Sequence, residues 1–181
     1  MFFKFFGILI LIITLSFAIS KEKENRMKKI ELNPQYPLVE NDCQMTNDWS
    51  VYLPGKFNRR IEDGSLVLWR PSFTIWTNIW NNDKNETVNK RRENVINSAS
   101  KDKYDEEFVG EDSLFYSYRL KENEGDKRVS AFYCFAFGVN GHVQMAIYFD
   151  DENDLKWAKQ IWKSLKESPN IQDSGKNAKG K

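Results

Sequence analysis

Nine consecutive residues, Val129 to Phe137, carry almost no side chain suited to water. Val129, Ala131, Tyr133, Phe135 and Phe137 fall on one side of an extended chain, and Phe132, Cys134 and Ala136 on the other. Successive side chains of a strand point to opposite faces, so a segment that is apolar on both is a central strand covered above and below. Whatever else the chain does, it must build a sheet around this segment and shield both of its faces.

The neighbouring segments supply that sheet. Asp48–Leu53 reads as a short strand stopped by Pro54-Gly55, and Ser65–Arg70 follows the turn pair Asp63-Gly64. Phe73–Trp80 alternates, with Phe73, Ile75 and Ile79 opposing Thr74, Trp76, Asn78 and Trp80. Ser113–Leu120 alternates in the same way, and Gly138–Gly141 turns the central strand back into His142–Phe149.

Two segments have helical spacing. Asn85 is a candidate cap for a helix reaching Ala99, with Val88, Val95, Ile96 and Ala99 on one stripe. Asp150–Asp154 supplies acidic capping for Leu155–Leu165, where Leu155, Ala158, Ile161, Trp162 and Leu165 form the apolar stripe. One helix on each face of a mostly antiparallel sheet is an α+β fold, a three-layer α/β/α sandwich, and this is the expected architecture.

The expected boundaries follow composition. Met1–Ser20 has one lysine, an apolar run from Phe5 and a small-residue end at Ala18–Ser20, the pattern of a secretory signal peptide. The alternative is an inner-membrane anchor formed by residues 5–19, favoured by five basic residues against two acidic in Lys21–Lys29 and opposed by an apolar run shorter than a spanning helix needs. Residues 21–46 read as a flexible leader, 47–167 as a single domain, and 168–181 as a disordered polar tail. A signal places the domain in the periplasm or outside the cell.

Lys4 is the only charged residue of the first twenty, and the whole chain has 27 Lys and Arg against 26 Asp and Glu, so the remainder is formally neutral. Neutrality without a basic stripe argues against nucleic acid as a partner. Aromatic residues at 14% argue for a packed interior or an adhesive surface rather than disorder. The two cysteines, Cys43 and Cys134, can close one disulfide in an oxidising compartment; the plainer alternative is a pair of buried thiols.

The segments Trp49–Phe57 (WSVYLPGKF), Asp63–Trp69 (DGSLVLW) and Ile147–Leu165 (IYFDDENDLKWAKQIWKSL) resemble the Mog1/PsbP-like group in pattern and order. The resemblance spans most of 47–167 and includes no catalytic motif. It implies an α/β/α sandwich and a non-enzymatic role of the assembly-factor or adaptor kind, and it transfers no site residue.

Candidate chemistry is sparse. His142 is the single histidine, with no C-x-x-C or H-x-x-x-H to make a metal site and no G-x-S-x-G elbow to make a hydrolase triad, so neither metal nor cofactor is expected. Ser98–Lys101 spells S-x-x-K without its companion motifs, and Glu106, Glu107, Glu111 and Asp112 form an acidic loop. These are the residues an envelope hydrolase would use.

The more suggestive set is Trp69, Arg70, Trp76 and Trp80, whose composition is that of a protein-binding hot spot; the plainer reading packs these indoles beneath a helix. The expectation is therefore an exported non-catalytic domain that binds a protein partner, as an assembly factor, adaptor or immunity protein. An envelope hydrolase and a small-ligand carrier are the alternatives.

Overall fold

A computed structural model of the chain describes residues 32–110, 114–124 and 127–168. The signal-peptide and tail expectations, for 1–20 and for residues beyond 168, lie outside the described residues. In chain order the elements are β1 (Leu38–Gln44), β2 (Trp49–Glu62), β3 (Ser65–Arg70), β4 (Phe73–Asn81), α1 (Val88–Ser98), β5 (Tyr104–Val109), β6 (Phe115–Glu124), β7 (Lys127–Phe137), β8 (Gly141–Phe149), a 3-10 turn at Glu152–Asp154, α2 (Leu155–Lys163) and β9 (Lys166–Glu167).

The nine described strands form one sheet in the order β1-β2-β3-β4-β8-β7-β6-β5, with β9 pairing β2, and the strand pairs are antiparallel. This corrects the expected three-layer α/β/α sandwich: the structure is predominantly an antiparallel β-sheet with two short helices. The reason is length. Helices of 11 and 9 residues are about 16 and 13 Å long. Eight strands side by side at about 4.8 Å spacing extend over 30 Å, so neither helix can form a layer.

Each helix instead plugs one region. α2 packs against β2, β7 and β8, burying Ala158, Ile161 and Trp162 in a large cluster with Trp49, Val51, Leu53, Phe132, Cys134, Met145 and Ile147. The Trp162 indole N–H donates to the Phe135 carbonyl at 2.9 Å, tying the helix to the central strand. α1 packs on β7 from the other face, where Val88, Val95, Ile96 and Ala99 meet Tyr116, Tyr118, Phe135 and Phe137. β7, between β8 and β6, is thus buried on both sides, as its sequence requires.

The boundary of the ordered unit also differs from expectation. The segment 21–46 was expected to be a flexible leader, yet β1 is an edge strand of the sheet and a compact unit begins at Asn33. Asn58, buried in β2, holds residues 33–36 in place: its side chain accepts from Asn33 N–H at 2.8 Å and donates to the carbonyls of Asn33 and Tyr36. β2 also runs on through Pro54-Gly55. The β1–β2 register shifts between Val39 and Asn41, and this irregularity absorbs the proline without breaking the strand.

The β7–β8 turn is fixed from two sides. Glu167 of β9 accepts from the Val139 and Asn140 N–H groups at 2.8 and 2.6 Å, while the buried Arg91 of α1 donates to the Gly138 carbonyl. Gly141 is required by contact: a Cβ there would lie 2.1 Å from the Trp80 carbonyl oxygen. β2 and β3 join at Asp63-Gly64, both at positive φ (49° and 82°), the conformation that a tight hairpin selects glycine for.

Candidate functional site

Strand register decides which of the proposed binding residues can act together. Trp69 pairs with Thr74, Trp76 with both Val67 and Ala146, and Trp80 with His142, so the three indoles share one face of β3, β4 and β8. It is the face that α1 covers farther along, over β6 and β7. Trp80 is 52% exposed, and Trp69 and Trp76 are half-buried. The indoles therefore neither sit in the main core nor stand free of the sheet.

Their surroundings differ. The Trp69 ring has the Arg60 guanidinium 4.8 Å from its centroid and Tyr36 edge-on at 4.9 Å, so both are already engaged with it. Trp80 lies parallel to His142 at 6.2 Å, and His142 in turn stacks on Phe137 at 5.7 Å. Between Trp76 and Trp80, Asn78 accepts from the Ser65 hydroxyl at 2.7 Å and faces Gln144 across the strand pair.

The charged side chains of this face are held by one ion pair and by hydrogen bonds from phenols. Arg60 pairs with Glu62 at 2.5 Å, and the Glu122 carboxylate accepts from the Tyr133 and Tyr148 phenols at 2.5 and 2.8 Å. Burial, with Glu122 as a hydrogen-bond acceptor, pushes the Tyr133 phenol well above its usual range. The Arg60 and Glu62 charges cancel, while Glu122 keeps its negative charge beside phenols that stay protonated.

Arg70 does not belong to it. Adjacent residues of a strand point to opposite faces, and Arg70 lies on the α2 side, buried, with its guanidinium 4.4 Å from the Trp157 centroid, 5.0 Å from Phe57 and 5.2 Å from Phe73. Its role there is packing and charge placement inside the domain.

Of the two alternatives for the cysteines, a disulfide or a pair of buried thiols, the structure has the second: both are free and buried, Cys43 on the edge strand β1 and Cys134 on β7. Desolvation raises both thiol pKa values, which keeps them protonated and poor nucleophiles.

The candidate hydrolase residues are not gathered into one centre. Ser98, at the exposed end of α1, donates its hydroxyl to the Val95 carbonyl at 3.0 Å. The acidic loop is in part a strand, β5, with Glu106 accepting from the Tyr116 phenol at 2.8 Å and Glu107 bound by Lys159 and Lys163 at 2.5 and 2.7 Å; Glu111 and Asp112 lie outside the described residues. The two lysines hold the Glu107 carboxyl below its ordinary range, the reverse of the shift a general acid needs. His142 has its pKa pushed down to about 4, first by burial and second by Arg91, so it is neutral at physiological pH. Among the described residues, no group of three or more His, Cys, Asp and Glu side chains is arranged to hold a metal.

The sequence reading missed a cleft between β5 and α2, lined by Asp105, Glu107, Arg119, Phe132, Leu155 and Lys159, among others, with a volume of about 330 Å³. Sequence alternation offered no signal for β5: its register irregularity sets Tyr104 and Glu107, three residues apart, on the same face, which breaks the period of two.

A scan against models of known protein families found no match, and a search of curated proteins found none. Among solved structures, the chain is similar to a crystal structure from Bacteroides thetaiotaomicron VPI-5482, with a TM-score of 0.54 at 12% identity. The likeness covers 73% of this chain and 50% of that one, so this chain spans about half the length of the solved protein. At that identity the likeness concerns the fold alone.

Proposed function

We propose that this chain is an exported, non-catalytic domain of the bacterial envelope that binds a protein partner, as an assembly factor, adaptor or immunity protein. The observation that carries the reading is the sheet face where Trp76 and the 52%-exposed Trp80 flank Asn78 and lie beside Gln144, with Arg60 on the same face paired to Glu62. Aromatic anchors beside adaptable amides are the composition of a protein hot spot. The envelope placement rests on the sequence of Met1–Ser20; among the described residues no helix is long and apolar enough to cross a membrane.

The test is affinity capture with the tagged full chain and with Trp76→Ala and Trp80→Ala. The wild type should recover a stoichiometric protein partner and each variant should lose it, with the folded state retained. Retention of the partner by both variants would refute the assignment of this face, and strong destabilisation by both would assign the indoles to the core.

A further inference from the structure

On the face that carries the tryptophans, one ring and one charge are unengaged. Trp69 is taken up by Arg60 and Tyr36, and Trp80 by His142, whereas among the described residues Trp76 has no ring stacked on it and no cation over it. Glu122 has no ion-pair partner among the described residues; its two oxygens accept from the Tyr133 and Tyr148 phenols at 2.5 and 2.8 Å. Phenol donors stabilise a carboxylate without cancelling its charge.

Strand register gathers these groups around one small residue. Ala146 of β8 pairs with Trp76 of β4 on one side and with Tyr133 of β7 on the other. Neighbouring strands lie about 4.8 Å apart, so Trp76 and Tyr133 rise about 10 Å from each other with a methyl group between them. A cation seated over Ala146 is then within the roughly 6 Å at which a ring face attracts it, on both sides. Ala146 is only half-buried, so this notch opens to solvent. Tyr118 of β6 stacks on Tyr133 at 5.3 Å and 14°, which occupies the β6 side of that ring and leaves its other face toward β8. Gln144 and Tyr148 stand on either side of Ala146 along β8, on the same face. The half-buried Gln144 amide makes no side-chain hydrogen bond among the described residues.

We propose, resting on the reading of this face as the protein-contact surface, that the notch receives an arginine side chain of the partner. Its guanidinium lies between the Trp76 and Tyr133 rings, is balanced by the Glu122 carboxylate and donates to the Gln144 carbonyl. A guanidinium is planar, weakly hydrated and suited to stacking on rings, and it keeps N–H groups free for an amide acceptor. An apolar partner side chain in the same place would cover the Glu122 charge without compensating it, which is costly.

The test is titration of the full chain with N-acetylarginine N-methylamide and with the matching citrulline compound, whose urea has the shape of a guanidinium but no charge. The readouts are the shifts of the Trp76 indole N–H, the Ala146 methyl and the Gln144 side-chain amide. The arginine probe should saturate in the millimolar range and the citrulline probe should bind roughly tenfold more weakly. Glu122→Gln should weaken the arginine probe by a similar factor and leave the citrulline probe unchanged. Ala146→Met fills the notch without altering charge and should abolish the binding of both. Absence of saturable shifts, equal binding of the two probes, or arginine binding untouched by Ala146→Met would overturn the inference. The titration uses no partner, so its failure is separable from that of the underlying reading. A partner lost by Trp76→Ala and Trp80→Ala, with both probes binding equally, keeps the contact face and removes the arginine; a partner retained by both variants refutes the face itself.

Discussion

The chain has one histidine, which makes its protonation a clean probe of the open face. His142 is stacked between Trp80 and Phe137, and its Nδ1 is buried without a partner. Burial and then the Arg91 guanidinium hold its pKa at about 4, against 6.5 for the free side chain. The folded state keeps the ring neutral while the unfolded chain takes up a proton below 6.5. The stabilisation from the neutral ring is therefore complete above pH 6.5 and lost as the pH falls toward 4.

Carried across that interval at about 1.36 kcal/mol per pH unit, linkage gives about 3 kcal/mol; because the ring is only half-buried, solvent screening reduces this to about 1–2 kcal/mol. His142→Phe preserves a ring between Trp80 and Phe137, removes the titration and discards the orphaned nitrogen. Urea unfolding followed by tryptophan fluorescence at pH 7, 6 and 5 should show stability falling in the wild type and level in the variant, with the variant at least as stable at pH 7. An identical pH dependence in both proteins would refute the reasoning.

Gly141→Ala drives a Cβ into the Trp80 carbonyl, a backbone atom that cannot step aside, and should cost about 2–4 kcal/mol in chemical denaturation. Trp162→Phe removes a buried hydrogen bond to Phe135 and leaves a cavity beneath α2, so a loss of about 2–3 kcal/mol is expected from the same assay. Glu167→Ala withdraws the acceptor shared by Val139 and Asn140; amide exchange at these two residues should quicken, with global stability reduced by about 1–3 kcal/mol.

The strands that sequence located well are those whose own side chains dictate burial. β3, β4 and β8 alternate or run apolar between turn residues, and β7 is apolar on both faces, so period-two patterning suffices. The edge strands β1 and β5 escaped notice because each needs one partner and buries little: Cys43 is the buried side chain of β1, and β5 is acidic. Glu107 of β5 is matched by lysines more than fifty residues away, a compensation no local window contains.

The helices were read from sound stripes, but stripes do not show how wide a sheet they must cover, and this is where the three-layer expectation failed. The first helix is capped by Thr87, not Asn85, which instead takes a left-handed φ of 51°. Of the candidate site, the common face of Trp76 and Trp80 was legible from alternation. The same rule separates Trp69 from Arg70, and grouping them by composition overrode it. The cleft was hidden because its parts come from β5, β6, β7 and α2.

The central claim is that the tryptophans of the open face are the contact surface, and oxidative footprinting of the free chain against its captured complex tests it most directly. Trp76 and Trp80 should be oxidised in the free protein and shielded in the complex, while the fully buried Trp162 is unreactive in both. Equal oxidation of Trp80 in the two states, with protection arising elsewhere, would contradict the account.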